Sequence, residues 1–378
     1  MDKKNKNPNV PNLRFEKFNN NWSRTTISKV CVCNPKNEDK LDDEFIYIDL
    51  ESVEKGVLKS KNIIHLKNAP SRAQRILYKN DILFQSVRPY QRNNYLLNED
   101  DDFLQYVAST GYIQLRTTLN PYFLFQLLNT DKINNEVMLR CTGTSYPAIN
   151  SNDFSNILIT ITNDRNEQNK IAKFFSLIEE RIQTQIKIID TLSSQKKQIR
   201  NLIFKDIHKN VNCCIQDYVV YEQPQKYIVH STDYLSYGKD YIPVLTANQS
   251  FILGYTLEKD GIYEKGDCII FDDFTNENKY VDFPFKVKSS ALKILQTKEG
   301  LMLKFFYEYL QFLKFESTDH KRHYLSEVAV TDINVPNLKE QTFVCKVFNS
   351  FDSKLKNEEA LLEKYRLQKQ FLLNNLFI

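Results

Sequence analysis

The feature that most constrains this chain is a long internal repeat without a gap. Residues 167–204 read EQNKIAKFFSLIEERIQTQIKIIDTLSSQKKQIRNLIF, and residues 340–377 read EQTFVCKVFNSFDSKLKNEEALLEKYRLQKQFLLNNLF, an offset of 173 throughout. Lys173/Lys346, Phe175/Phe348, Lys196/Lys369 and Phe204/Phe377 are identical between the copies. Each copy carries two interleaved rows of apolar residues at a seven-residue period. In the first copy these are Ile171, Ile178, Leu192 and Ile199 with Phe175, Ile182, Ile189 and Ile203. In the second they are Val344, Phe351, Tyr365 and Leu372 with Phe348, Leu355, Leu362 and Leu376. A 3-4 spacing sustained this long predicts a coiled-coil seam. Asp164 and Asn337 are N-cap residue types, each followed three residues later by a glutamate, and Pro336 bars helix upstream of the second copy. Two long helices are expected, each about 57 Å at ~1.5 Å per residue.

Two polar residues interrupt each seam: Gln185 and Lys196 in the first, Glu358 and Lys369 in the second. Pseudo-twofold symmetry between the copies favours antiparallel packing. The register that gives every polar residue a polar partner faces Lys196 with Glu358 and Gln185 with Lys369. Slipping by one heptad would set Lys196 against Phe351 and Gln185 against Leu362. A buried ammonium without a partner costs kilocalories, so that slip is expected to lose. The competing expectation is that both lysines reach outward and the globular parts set the register.

Between the helices the chain changes character. Short β-type runs dominate: residues 45–50, 81–87, 112–115 and 157–161, then 241–246, 251–256 and 268–273. Helical patches interrupt at 121–128 and 301–315. The expected fold class is α+β, with two globular domains separated by two long helices packed as an antiparallel coiled coil. The boundaries are 1–163 for the first domain, 164–206 for the central helix, 207–336 for the second domain and 337–378 for the C-terminal helix. The two domains share little sequence while their helices repeat, which is what a two-headed reader on a fixed spacer would need.

Composition enters mainly by exclusion. Glycine numbers only eight, and no glycine-rich phosphate loop or G-x-G-x-x-G occurs, so nucleotide-driven motors and fingerprint-bearing Rossmann enzymes are out. Seven cysteines, at 31, 33, 141, 213, 214, 268 and 345, form no C-x-x-C pair and no secreted disulfide pattern. Cys31 with Cys33, Cys213 with Cys214, and His320 with His323 all lack the spacing of a structural zinc site. No run approaches the roughly 20 apolar residues of a membrane span, so a cytoplasmic location is expected. Five histidines give no nucleophile dyad. Asn120-Pro121-Tyr122-Phe123 lacks the second proline of an amino-methyltransferase tetrapeptide. Asp272, Asp273 and Glu277-Asn278-Lys279 are too close together for a nuclease. A non-catalytic chain without a cofactor or metal of its own is the expectation.

The net charge of +4, from 51 Lys+Arg against 47 Asp+Glu, is too small for bulk attraction to DNA, so placement of charge must decide. Basic and aromatic residues interleave in both domains. The first has Arg72, Arg75, Arg88, Tyr90 and Arg92, with Thr144 and Tyr146 near its end. The second has Asn248, Lys279, Lys286, Lys288, Lys321 and Arg322. Arginine forks, hydroxyls and amides at such places can contact bases or phosphates. The competing reading is a coiled-coil scaffold whose heads bind proteins.

With these residues in place the chain resembles the specificity subunits of type I DNA restriction–modification enzymes, over almost its whole length. PNLRFEKFNNNW (11–22) resembles the family's opening of its first target-recognition domain, and Cys141-Thr-Gly-Thr-Ser-Tyr-Pro-Ala-Ile149 its closing segment. Glu167-Gln168-Asn169-Lys170-Ile171-Ala172 and Glu340-Gln341 resemble the starts of its two spacer helices. PVLTANQSFILGYT (243–256) and IIFDDFTNENKYVDFPFKVKSS (269–290) resemble one type of target-recognition domain. The second domain lacks a Trp-containing opening, and Ile215-Gln-Asp-Tyr218 stands in its place. The resemblance implies two heads, each reading half of a bipartite site in double-stranded DNA. It also implies a helix pair docking two methylation subunits, which supply S-adenosylmethionine chemistry on adenine, and restriction subunits joining that core.

Overall fold

A computed structural model describes residues 9–98, 103–238, 240–247, 250–315 and 322–378. The chain divides into two compact units, residues 1–186 with 360–378, and residues 187–359. Each unit therefore holds one globular head and a part of both long helices, Arg165–Ile207 and Leu338–Leu376. As expected from sequence, Asp164 and Asn337 cap these helices. The Asp164 carboxylate accepts from the Asn166 and Glu167 N–H groups, and the Asn337 side chain accepts from those of Lys339 and Glu340. Glu167 does not close a capping box. It is fully buried and both its oxygens take the Arg14 guanidinium, at 2.7 and 2.9 Å.

The first head holds two four-stranded sheets. One runs Cys31–Cys33, Tyr112–Thr117, Ile82–Gln85, Tyr95–Leu96, with every neighbour antiparallel. The other runs Asn62–His65, Glu44–Ile48, Gln105–Ser109, Ala73–Leu77, with a parallel pair at its centre. In the second head the order Val219–Glu222, Leu292–Thr297, Cys268–Asp272, Asn278–Val281 is again all antiparallel. Its other sheet, Ile252–Thr256, Ile242–Leu245, Lys286–Val287, again contains an antiparallel and a parallel pair. Seven strands thus share one topology in the two heads although their sequences diverge, and the first head adds Ala73–Leu77 at the edge of its second sheet. Sequence found the helices' duplication and missed the heads', because a sheet fixes alternation and turns far more than residue identity.

The opening of the second head, unclear in sequence, is plain in the structure. Ser23–Thr26 pairs with Leu158–Ile161 and runs into a helical turn, Ile27–Val30; Cys213–Cys214 pairs with Asp332–Ile333 and runs into Ile215–Tyr218. Ile27 and Ile215 are both fully buried. In each unit the closing strand leads directly into a long helix.

One helix of each head docks on the long helices. It spans Pro121–Leu128 in the first and Leu303–Leu313 in the second. The Gln168 side chain accepts from the Asn120 N–H at 2.9 Å, and the Gln341 side chain from the Met302 N–H at 2.7 Å. Phe123 packs on Phe377 and Phe305 on Phe204, both at 5.3 Å between ring centres. Phe377 in turn stacks on Phe175 and Phe204 on Phe348, at 6.0 and 6.2 Å. The same joint is used twice.

The seam positions Ile171, Phe175, Ile182, Leu192, Val344, Phe348, Leu362 and Leu376 are buried, as the period requires. In the first unit Phe175 meets Phe377, Glu179 meets Lys369 and Arg181 lies over Tyr365, so the helices run antiparallel. The seam lysines have carboxylate partners other than those expected. Lys196 pairs with Asp352, six residues before Glu358, and Lys369 pairs with Glu179, six residues before Gln185. These are the same contact in the two units. The two seam lysines are met by carboxylates beside the seam, Asp352 and Glu179, and Lys196 also by one from the head: Glu308, fully buried, lies 3.2 Å from it. Counting seam positions alone left those three groups out.

Candidate nucleic-acid interface

The candidate residues of the first head fall on two connected loops. Val87 bridges to Ala148, and the Arg88 N–H donates to the Pro147 carbonyl at 2.8 Å, tying the turn at 88–92 to the loop at 142–148. Arg88 and Arg92 both adopt left-handed backbone, at φ 54°, bracketing the 3-10 turn Pro89–Gln91. Non-glycine residues in that region cost of order 1–3 kcal/mol each and persist where neighbours over-determine them. Here the neighbours are polar, and Gln85 and Asn94 among them are buried. The Gln85 side chain donates to Val87 O and Gln91 Oε1 and accepts from the Asn93 N–H, while Asn94 accepts from the Gln85 N–H. Above this base the Arg88 guanidinium lies over the Tyr146 ring, 4.3 Å from its centre. Tyr90, Thr144 and Tyr146 are exposed around it.

The remaining candidates separate. Arg72 is exposed, and its carbonyl accepts from Thr110. Arg75 is half-buried; burial lowers its pKa, and its Nε has no hydrogen-bond partner. Arg92 is held by Asp131 at 2.7 Å. That carboxylate also accepts from Gln370 and Asn374 on the C-terminal helix, fixing the loop to it. Lys279 is half-buried in its strand, Lys288 is exposed, and Arg322 is exposed with its guanidinium over Phe274. Asn248 and Lys321 lie outside the described residues.

Lys286 is a correction. It is fully buried, its ammonium 2.6 Å from Glu258 and donating to the Asp260 carbonyl, and cannot reach a nucleic acid. In FPFKVKSS alternation along a strand turns Lys286 inward and leaves Lys288 outward, and the apolar neighbours gave the inward side no sign of a waiting carboxylate.

Among the described residues, one group has metal-ligand geometry: His230, Glu258 and Asp260. Burial pushes the Glu258 carboxyl up, but Lys286 and the N–H groups of Ser231 and His230 hold it below the ordinary range. The cation position is thus already served by the Lys286 ammonium. A cleft of about 510 Å³ in the first unit is lined by Tyr78, Asp81, Arg116 and Arg165, where Arg116 grips Asp81 at 2.9 and 3.0 Å. Its Arg116 and Asp81 are matched to each other, and its Arg165 donates to the Thr118 carbonyl and the Gln168 side chain.

Two polar groups that hold the heads to the long helices were not found from sequence. Asp131 sits in an ordinary capped helix start and gave no signal. Glu308 did: it is the only acid in LKFFYEYLQFL, a helix otherwise almost wholly apolar.

Each unit mounts a head on the same helix joint, and comparison with known proteins places that duplicated architecture. The chain is related in sequence to the specificity subunits of type I restriction enzymes. It is 48% identical over 122 residues to the EcoR124I/EcoR124II specificity subunit of Escherichia coli, a match covering 31% of this chain and 30% of that protein. By fold it is similar to the S subunit of a type I restriction–modification system from M. genitalium, with a TM-score of 0.59 at 17% identity over 98% of this chain and 99% of that one. A chain of another type I restriction–modification system matches with a TM-score of 0.56 at 18% identity, over 94% and 97%. No protein-family model matches the sequence. Among the described residues no helix is long and apolar enough to cross a membrane.

Proposed function

We propose that the chain is the DNA-reading subunit of a type I restriction–modification complex. Each head reads one half of a bipartite site in double-stranded DNA. The helix pair docks two methylation subunits, which bring S-adenosylmethionine and methylate adenine, and restriction subunits join the full complex. The chain itself is non-catalytic and works in the cytoplasm. One observation carries this reading: the same head topology and the same phenylalanine–glutamine joint occur twice, while the loops outside the joint differ. A duplicated mount with two different exposed faces suits two unlike sequences on one duplex and has no evident use in a one-substrate enzyme.

The test is binding of the full chain, with its methylation subunits, to duplexes selected from a randomised pool. Selection should return two separated conserved blocks. Affinity should fall steeply with salt, because phosphate contacts release counterions. A protein-binding scaffold would select nothing and show no such salt dependence.

A further inference from the structure

The arginines of the first head sort by what their guanidinium groups touch. Arg14 is taken by Glu167, Arg92 by Asp131, Arg116 by Asp81 and Arg140 by Glu136. Arg165 donates to the Thr118 carbonyl and Gln168, and Arg75 is half-buried in a strand. Arg24 and Arg72 are exposed, and among the described residues their guanidinium groups have no hydrogen bond or ion pair. Arg88 differs from all of these. Its backbone is fixed twice, by left-handed dihedrals and by the N–H bond to Pro147. Its guanidinium is held against Tyr146, and among the described residues it has no carboxylate partner. It is both ordered and unspent.

An arginine lying on an aromatic face keeps its donor edge free, and stacking lowers the rotamer entropy lost when that edge binds. A planar fork of N–H donors matches the paired acceptors O6 and N7 that guanine shows in the major groove, a match the lysine ammonium cannot make in plane. Solvated phosphate contacts need no such mounting. Holding left-handed residues at both ends of one turn is an expense a fold bears where aim matters.

We propose that Arg88, mounted on Tyr146, reads a guanine in the half-site of the first head. The assignment rests on the DNA-reading function above and adds to it one residue, one base and one mode of contact. Tyr146 is then a positioning residue, acting through its ring and not its hydroxyl.

The experiment compares duplex selection by the full chain with its methylation subunits for the wild type, Arg88→Ala, Arg88→Lys, Tyr146→Phe and Tyr146→Ala. Thermal unfolding confirms that each variant is folded. Arg88→Ala and Arg88→Lys should each erase a guanine preference at one position, by about tenfold or more, and leave every other position unchanged. Tyr146→Phe should select as the wild type does, while Tyr146→Ala should weaken the preference at that same position. Uniform weakening at all positions, with a salt slope lower by about one unit, would make Arg88 a phosphate contact and overturn the assignment. Unchanged selection by Arg88→Ala would overturn it too. If the wild type selects no sequence, the function fails first; if it selects two blocks and Arg88→Ala does so equally, only this inference fails.

Discussion

Lys286 and Lys288 stand two residues apart in one basic, aromatic segment, and the structure gives them opposite lives. The first is fully buried on Glu258, the second exposed. Removing one partner of a buried pair leaves the other charge unmatched, at about 3–5 kcal/mol in closed sites. Glu258 keeps 18% exposure, so Lys286→Met should cost on the order of 2–3 kcal/mol. Lys288→Ala should stay within about 0.5 kcal/mol. Denaturant unfolding of both variants checks this, and equal stabilities would contradict it. At this scale sequence showed which residue types gather but not which way each points, since the partner of Lys286 is 28 residues away in the chain.

The two docking helices show what an element-level repeat hides. Aligning them on Met302 and Asn120 sets Phe305 against Phe123 and Glu308 against Gln126; aligning the long helices sets Arg200 against Leu373. The second unit buries an Arg200–Glu308 ion pair, 2.7 Å long, where the first has leucine and glutamine. Lys196 and Lys304 also meet Glu308 and Asp352, so one buried carboxylate anchors three cations. Glu308→Gln should therefore cost about 3–5 kcal/mol. Adding Arg200→Leu, which restores the first unit's neutral pair, should recover about 1–2 kcal/mol of that loss. Additive effects within about 0.5 kcal/mol, read by a double-mutant cycle, would show that the pair is not coupled.

Asp352 in the same cluster gives a pH test. Burial raises its pKa, but Lys196 and Lys304 more than offset this and hold it below the ordinary carboxylate range. A carboxylate with a depressed folded pKa contributes stability above its unfolded value and loses it as pH falls through the folded one. Hydrogen-exchange protection of Leu303–Leu313 should therefore drop as pH falls below about 4, by more in the wild type than in Asp352→Asn. Equal pH dependence in both would remove Asp352 from the latch. The seven-residue period revealed the helices, their caps and their buried rows. It did not reveal the partners of Lys196 and Lys369, because those carboxylates flank the seam or come from a head.

For the whole molecule, the seven strand runs read from sequence all appear as strands, and both helical patches dock the heads. The topology shared by the heads was hidden, because their Cα paths repeat while their side chains do not. The candidate DNA contacts were legible only as clusters; Arg88 and Tyr146 are joined by loop bridges that no spacing rule predicts. The central claim is that each head reads its own half-site from a common mount, and one measurement tests it most directly. Residues 207–336 are replaced by the corresponding head of another family member, keeping the glutamate at position 308, and methylated adenines are mapped across host DNA. The account predicts that one half of the methylated sequence changes and the other half stays as it was. A change in both halves, or in neither, would contradict it.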